Sequence, residues 1–156
     1  NKLSYPALIG LFLVYAAVNG ISFSFIFYAY ELGLIFKAFA AAAGMFGLMA
    51  VLGYTTKTDL TKFGSIMMMG LFGIIIASII NYFTHSGMLD YIISIVGVLV
   101  FTGLTAYDVQ KLKIIGAQSN ESVMEKKVSI MGALTLYLDF INLFLMLLRL
   151  MGDRRN

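Results

Sequence analysis

Apolar residues fill five long stretches of this chain, and short polar segments separate them. The stretches cover about residues 6–30, 37–54, 64–83, 89–113 and 127–150. A transmembrane helix needs about 17–25 predominantly apolar residues to cross the hydrocarbon layer, and each stretch has that length. The pattern therefore predicts an all-α integral membrane protein, in which residues 1–156 form one polytopic bundle of five transmembrane helices.

Composition agrees with a membrane protein and excludes several kinds of site. Of 156 residues, 60% are hydrophobic and 12% are charged, whereas about a quarter of a soluble domain is charged. The chain has no cysteine and one histidine, His85, so neither a thiolate nor a histidine metal centre is expected. We expect no cofactor. The basic residues lie between the apolar stretches, so we expect a lipid bilayer as partner and no nucleic acid.

The distribution of basic residues between the two ends of the bundle predicts its orientation. Five spans place alternate loops on opposite sides of the membrane. Seven basic residues fall at one end and four at the other, and cytoplasmic loops carry the excess of lysine and arginine. We therefore expect the first end to be cytoplasmic; its residues are Lys2, Lys57, Lys62, Lys111, Lys113, Lys126 and Lys127, against Lys37, Arg149, Arg154 and Arg155.

An acid, Asp139, stands near the middle of the last span. A carboxylate in lipid is costly, so an intramembrane acid normally faces protein or a water-filled cavity. At about 100° per residue, Thr135, Asn142 and Arg149 lie on the same side as Asp139. This polar stripe predicts that the helix packs inside a bundle. Alternatively, Thr135 and Asn142 only hydrogen-bond to backbone or neighbouring helices.

A second acid, Asp108, lies toward the end of the preceding span, with Thr105 on its face. The connection between the two spans is long enough to bring Asp108 and Asp139 to one level in an antiparallel hairpin. Two carboxyl groups in a low-dielectric site would hold one proton between them. When ionised, they would also contact Ca²⁺ transiently, with water or carbonyl groups supplying further ligands. The alternative is that each acid pairs with a base, such as Arg149 or Lys111.

Small residues form a strip on the second span. Ala40 and Gly44 share one line along a helix, and Gly47 lies beside them. Such a strip favours close helix packing in membranes. We therefore expect this face of the second helix to contact another helix.

Three segments resemble the transmembrane Bax inhibitor motif family, also called the Bax inhibitor-1 family, in its bacterial branch. They read GYTTKTDLTKFG (53–64), GVLVFTGLTAYDVQKLK (97–113) and LTLYLDFINLFLMLLR (134–149). The resemblance implies a seven-helix inner-membrane protein whose last helix is enclosed by the others. The five spans correspond to helices three to seven, so the first two family helices, with the charged gate residues of the second, are absent from this chain.

The resemblance also implies a function, a pH-sensitive calcium leak with a paired-aspartate sensor. Asp108 in YDVQ and Asp139 in YLDFIN match the two sensor acids, and Ca²⁺ is the implied permeant ion. We expect that this protein is not an enzyme. One alternative is a regulatory protein without transport that binds a membrane protease or another membrane protein, a role associated with some bacterial members. A more distant alternative is a presenilin-like aspartyl protease, although Tyr137 and Leu138 precede Asp139 where that class has a Gly-x-Gly-Asp motif.

Overall fold

The five apolar stretches are helical in a computed structural model, which describes residues 4–118 and 122–153. Five helical segments, the first of them Tyr5–Ala29, are long and apolar enough to cross a membrane. This confirms the predicted all-α bundle of five spans. The helices are α1 (Tyr5–Phe23), α2 (Ile26–Ala29), α3 (Leu32–Thr55), α4 (Thr61–Thr84), α5 (Gly87–Gln118) and α6 (Ser122–Asp153).

Helix ends differ from the predicted bounds where the sequence has no strong breaker. The second span begins at Leu32 instead of residue 37, directly after Glu31, whose backbone is extended (φ −68°, ψ 145°). The fourth span continues past residue 113 to Gln118. Hydropathy marks where the apolar residues end, but a polar helix can continue beyond that point when no proline interrupts it.

Contacts between helix ends divide the bundle into two ends. At one end, the Lys113 ammonium donates a hydrogen bond to the Tyr54 carbonyl (2.7 Å), and the Lys126 ammonium lies 5.4 Å from the centre of the Tyr5 ring. At the other end, Arg149 forms an ion pair with Asp90. We call the first of these the basic end. Helices α3 and α5 end there, α6 begins there, and the 56–60 loop lies there. It is the end for which the sequence predicts a cytoplasmic location.

Helix α5 is the centre of the packing, because it contacts α3, α4 and α6. Its neighbours approach closely through glycine. A Cβ atom at Gly53 of α3 would overlap the Ala106 carbonyl oxygen, and one at Gly64 of α4 would overlap the Tyr107 ring. Lipid tails are as apolar as leucine, so helix association in a membrane depends on such close van der Waals packing and not on hydrophobic burial.

The predicted contact strip on the second span is wrong. Gly44 and Gly47 are exposed, and an added Cβ at either would meet nothing within 4 Å. Ala38 and Ala42 are instead fully buried. Nearly every face of α3 carries apolar or small residues, so hydrophobic periodicity had no contrast from which to choose the buried face. Aromatic rings of α3 and α6 also pack edge to face, as in Phe39 and Phe140, whose ring centres are 5.5 Å apart.

We predict that Gly53→Ala destabilises the protein, because its new methyl group must push α3 away from the α5 backbone. Overpacking of this kind costs about 1–3 kcal/mol. The matched control is Gly47→Ala on the same helix, where the space is open. Thermal stability in detergent, followed by the fraction that elutes as monodisperse protein after heating, should fall for Gly53→Ala alone. Equal stability of the two variants would contradict the close contact with Ala106.

We also predict that single cysteines report the orientation of the bundle, since this sequence has no cysteine of its own. A membrane-impermeant maleimide should label Thr84→Cys in intact spheroplasts, because Thr84 ends α4 away from the basic end. Lys57→Cys, in the 56–60 loop, should react only after lysis. The opposite labelling pattern would place the basic end outside the cell.

Candidate functional site

A cavity of about 750 Å³ lies among α4, α5 and α6. Most of its wall is apolar, from residues such as Leu71, Ile74 and Met146. Polar side chains from all three helices interrupt this wall, and they are Ser78, Tyr107, Asp108, Lys111, Thr135, Asp139 and Asn142. Thr135, Asp139 and Asn142 of the predicted stripe therefore face this cavity, whereas Arg149 of the same stripe is outside its lining.

Asp108 and Asp139 both line this cavity, Asp108 from α5 and Asp139 from α6, and we call them the carboxyl pair. Asp139 is only 6% exposed. Its Oδ2 atom is buried and has no hydrogen-bond partner among the described residues. A carboxylate oxygen without a donor is costly in a buried site. Chemically, the pair can hold a proton between its oxygens or present those oxygens to a cation.

Thr135 and Asn142 line the cavity beside the acids and also bond to their own helix. The Thr135 hydroxyl donates to the Met131 carbonyl (3.0 Å), and the Asn142 amide donates to the Leu138 carbonyl (2.8 Å). These donors are directed to the α6 backbone, which favours the side-chain oxygens as the polar atoms available to the cavity. Thr105 is not at the cavity: it is fully buried and donates to the Phe101 carbonyl (2.8 Å).

Arg149 and Lys111, the two candidate bases, contact groups other than the two acids. Arg149 forms its ion pair with Asp90, at the start of α5. Lys111 lines the cavity, and its ammonium lies 5.9 Å from the centre of the Tyr107 ring. Within residues 4–118 and 126–152, Asp108 and Asp139 form no ion pair with a basic side chain. The alternative of separate acid–base pairs therefore does not describe this geometry.

A second cavity, of about 270 Å³, adjoins the first and continues toward the basic end. The two share Asp108, Lys111 and Thr135 in their walls. The second cavity reaches Lys127, near the start of α6. The two cavities therefore lie one after the other between the carboxyl pair and Lys127, and Asp108 is in the wall of both. In the opposite direction the larger cavity ends at Met146, whose sulfur lies 4.0 Å from the guanidinium of Arg149.

The described residues offer few ligands for a resident metal ion. No group of three or more His, Cys, Asp or Glu side chains occurs among them. Ca²⁺ takes about six to eight oxygen ligands, and the pair supplies only part of that set. The arrangement suits brief contact with a passing cation, where water completes the coordination, better than stable binding.

Two polar residues near the acids were missed by sequence reasoning. Ser78 contributes a hydroxyl to the cavity from α4. Gln110 is only 8% exposed and hydrogen-bonds to the 56–60 loop. The signal for Gln110 was present, because it is an amide two residues after an intramembrane acid. Its partners lie about fifty positions away, and no local pattern identifies them.

Comparison with known proteins agrees with this architecture. The family model described as "Inhibitor of apoptosis-promoting Bax1" matches residues 1–156. The chain is 50% identical over 157 residues to the "Inner membrane protein YbhL" of Escherichia coli K12, covering 99% of this chain and 67% of that protein. An uncharacterized protein of Borreliella burgdorferi is also 50% identical, with 100% of this chain and 68% of that protein covered.

A protein of Rickettsia prowazekii is 45% identical over 146 residues, which cover 94% of this chain and 62% of that protein. The chain thus spans about two thirds of the length of the relatives that it matches. The family model matches residues 1–156, and two relatives are 50% identical to this chain. Similarity of this extent shows membership of a family and not only a shared fold. The chain therefore belongs to the Bax inhibitor family of membrane proteins.

Proposed function

We propose that this protein is a pH-sensitive cation leak of the bacterial inner membrane, with Ca²⁺ as the permeant ion and the Asp108–Asp139 pair as its gate. The observation that carries the proposal is the placement of two carboxyl side chains, Asp108 and Asp139, in the wall of one cavity among membrane-spanning helices. The name of the Escherichia coli relative supports the inner membrane as the location. In this proposal the pair performs no covalent chemistry and the protein holds no resident cofactor.

A shared proton would make the pair a switch between two charge states. With one proton between them, the two carboxyl groups carry a single negative charge and are held together by a hydrogen bond. Without it, they carry two like charges at close range, which repel each other in a low-dielectric site. Because Asp108 belongs to α5 and Asp139 to α6, this repulsion acts between the two helices. Protonation would therefore be coupled to their separation.

The cavities support a route for the ion on one side of the pair. Asp108 stands in the wall of both cavities, so an ion that moves between them passes its carboxyl group. The lysines at the basic end, Lys111 and Lys127, lie along the same route. A cation is repelled by these charges and attracted by ionised aspartates. Such a path favours a slow leak that depends on the charge of the pair over a wide, freely conducting pore.

The pH response is assigned to the pair and not to the acid of the 56–60 loop. The Thr61 hydroxyl and backbone N–H both donate to the Asp59 carboxylate, and these hydrogen bonds lower the pKa of Asp59. Because that pKa lies below its ordinary value, Asp59 remains ionised as pH varies around neutrality. Any stabilisation from it would be lost only as pH falls through its lowered pKa. It cannot produce a change of flux near neutral pH.

We predict that flux through the reconstituted protein depends on pH and that this dependence requires both acids. Vesicles would be loaded with a calcium-sensitive dye, and the rate of Ca²⁺ entry measured at steps between about pH 5 and 9. Asp139→Asn and Asp108→Asn keep the side-chain shape and remove the second carboxyl group. Each should flatten the pH profile or move its midpoint by about one pH unit or more, because a lone carboxyl group no longer shares its proton.

The matched control is Asp90→Asn. Asp90 is an acid of the same helix, α5, but it pairs with Arg149 and is outside the cavity lining. This variant should retain the pH midpoint of the unmodified protein. Absence of Ca²⁺ flux from the unmodified protein would reject the leak, whereas flux whose pH profile is unchanged in both Asp108→Asn and Asp139→Asn would reject the sensor.

A further inference from the structure

Gln110 joins the helix that carries Asp108 to the loop between α3 and α4. Its Oε1 accepts a hydrogen bond from the Leu60 backbone N–H (2.8 Å), and its Nε2 donates to the Thr58 carbonyl (2.7 Å). The backbone partners determine the orientation of the amide, because an N–H requires an acceptor and a carbonyl requires a donor. One side chain therefore satisfies two main-chain groups at positions without helical partners.

Because of the position of Gln110 on α5, these two hydrogen bonds restrict rotation of the helix about its axis. Residues two apart on a helix are separated by about 200° around its axis, so Gln110 lies almost opposite Asp108. Asp108 lines the cavity with α6, whereas Gln110 binds the loop on the far side. A helix bonded on one side cannot turn about its axis without moving the groups on the other. The clamp thus sets the direction in which Asp108 points.

Two other contacts lie on the same face of α5. Ala106 is one turn before Gln110, and its backbone is in close contact with Gly53. Lys113, almost one turn after Gln110, donates to the Tyr54 carbonyl. These residues lie within or beside two of the segments that carry the family resemblance, 53–64 and 97–113. The side chain of Gln110 is the one in this set that bonds the loop itself.

We propose that Gln110 is a positioning residue, which holds Asp108 in the wall of the cavity that it shares with Asp139 by clamping α5 to the loop at residues 56–60. The inference deepens the proposed function, and its flux readout rests on that function. Its structural content does not, because the titration of the two carboxyl groups can be measured without transport. The 56–60 loop is then coupled to Asp108 through α5. A displacement of the loop would move Asp108, and a displacement of Asp108 would move the loop.

The charged and titratable groups that face the pair are few, which makes its titration a sensitive readout. From α5, Tyr107 and Lys111 line the same cavity. From α4, the polar lining residue is Ser78, which does not titrate. From α6, the polar lining residues are Thr135 and Asn142, and Lys127 of α6 lines the second cavity together with Asp108. A rotation of α5 therefore changes mainly the distance between the two carboxyl groups, the distance from Asp108 to Lys127 and the distance from Asp139 to Lys111.

The test compares two substitutions that remove different parts of the clamp. Gln110→Met has a similar length and loses both hydrogen bonds. Gln110→Glu keeps an acceptor for Leu60 and loses the donor to Thr58. Lys113→Met is the control, because it removes another bond between α5 and the end of α3 without touching the loop at Thr58 and Leu60. Monodispersity and thermal stability in detergent would establish that each variant is folded.

The readout is the infrared carbonyl band of protonated carboxyl groups in protein reconstituted into lipid, titrated with pH. The contribution of the pair is the part of this band that Asp139→Asn removes. We expect the midpoint of that part to shift by about half a pH unit or more in Gln110→Met, by less in Gln110→Glu, and not at all in Lys113→Met. The flux midpoint should move with it.

If folded Gln110→Met has the same titration midpoint as the unmodified protein, the inference is overturned. If Gln110→Met does not fold, an unshifted titration in folded Gln110→Glu overturns it equally. The proposed function fails separately: a shifted carboxyl titration in a protein that passes no Ca²⁺ would reject the leak and leave the positioning role of Gln110 intact. An equal shift in Lys113→Met would assign the effect to general loosening of α5 and reject the specific clamp.

Discussion

The exclusion of Asp139 from lipid is the constraint on which the rest of the bundle depends. A carboxyl group at the middle of a membrane-spanning helix is stable only where protein or water replaces the acyl chains. Helix α6 meets this requirement by packing against α5, α3 and α1, and Asp139 is left 6% exposed. The packing itself must come from close contact, since apolar burial gives little advantage over lipid. The close contacts of Gly53 in α3 and Gly64 in α4 with α5 provide packing of this kind. They therefore help to maintain the bundle that separates Asp139 from lipid.

Helix α5 connects the carboxyl pair to the rest of the protein because its opposite faces perform different tasks. One face carries Asp108 into the cavity that it shares with α6. The other face is in contact with α3 and the loop through Ala106 and Gln110. A rigid helix transmits rotation and translation along its length, so the two faces cannot move independently. This arrangement explains why the segments 53–64 and 97–113, which are distant in sequence, form one structural unit.

Polar atoms are distributed unevenly along the bundle, and this distribution separates the two ends. From the acids toward the basic end, the cavities continue past Lys111 to Lys127. In the other direction the lining becomes apolar at Met146, and the Asp90–Arg149 ion pair ties α5 to α6 just beyond it. The carboxyl pair thus lies between cavities that lead toward the basic end and an opposite end at which an ion pair joins α5 to α6.

The sequence by itself determined the number of spans, the membrane environment, the family and the two acids, because long apolar runs and an acid within them are local features. It also contained Gln110 and Ser78, but not their roles. Only the tertiary structure decided which faces meet: it buried Ala38 and Ala42 instead of the strip at Gly44 and Gly47, and it paired Arg149 with Asp90. The physical reason is that membrane helices are apolar on nearly every side. Hydropathy cannot rank such faces, whereas shape and hydrogen bonds between residues about fifty positions apart can.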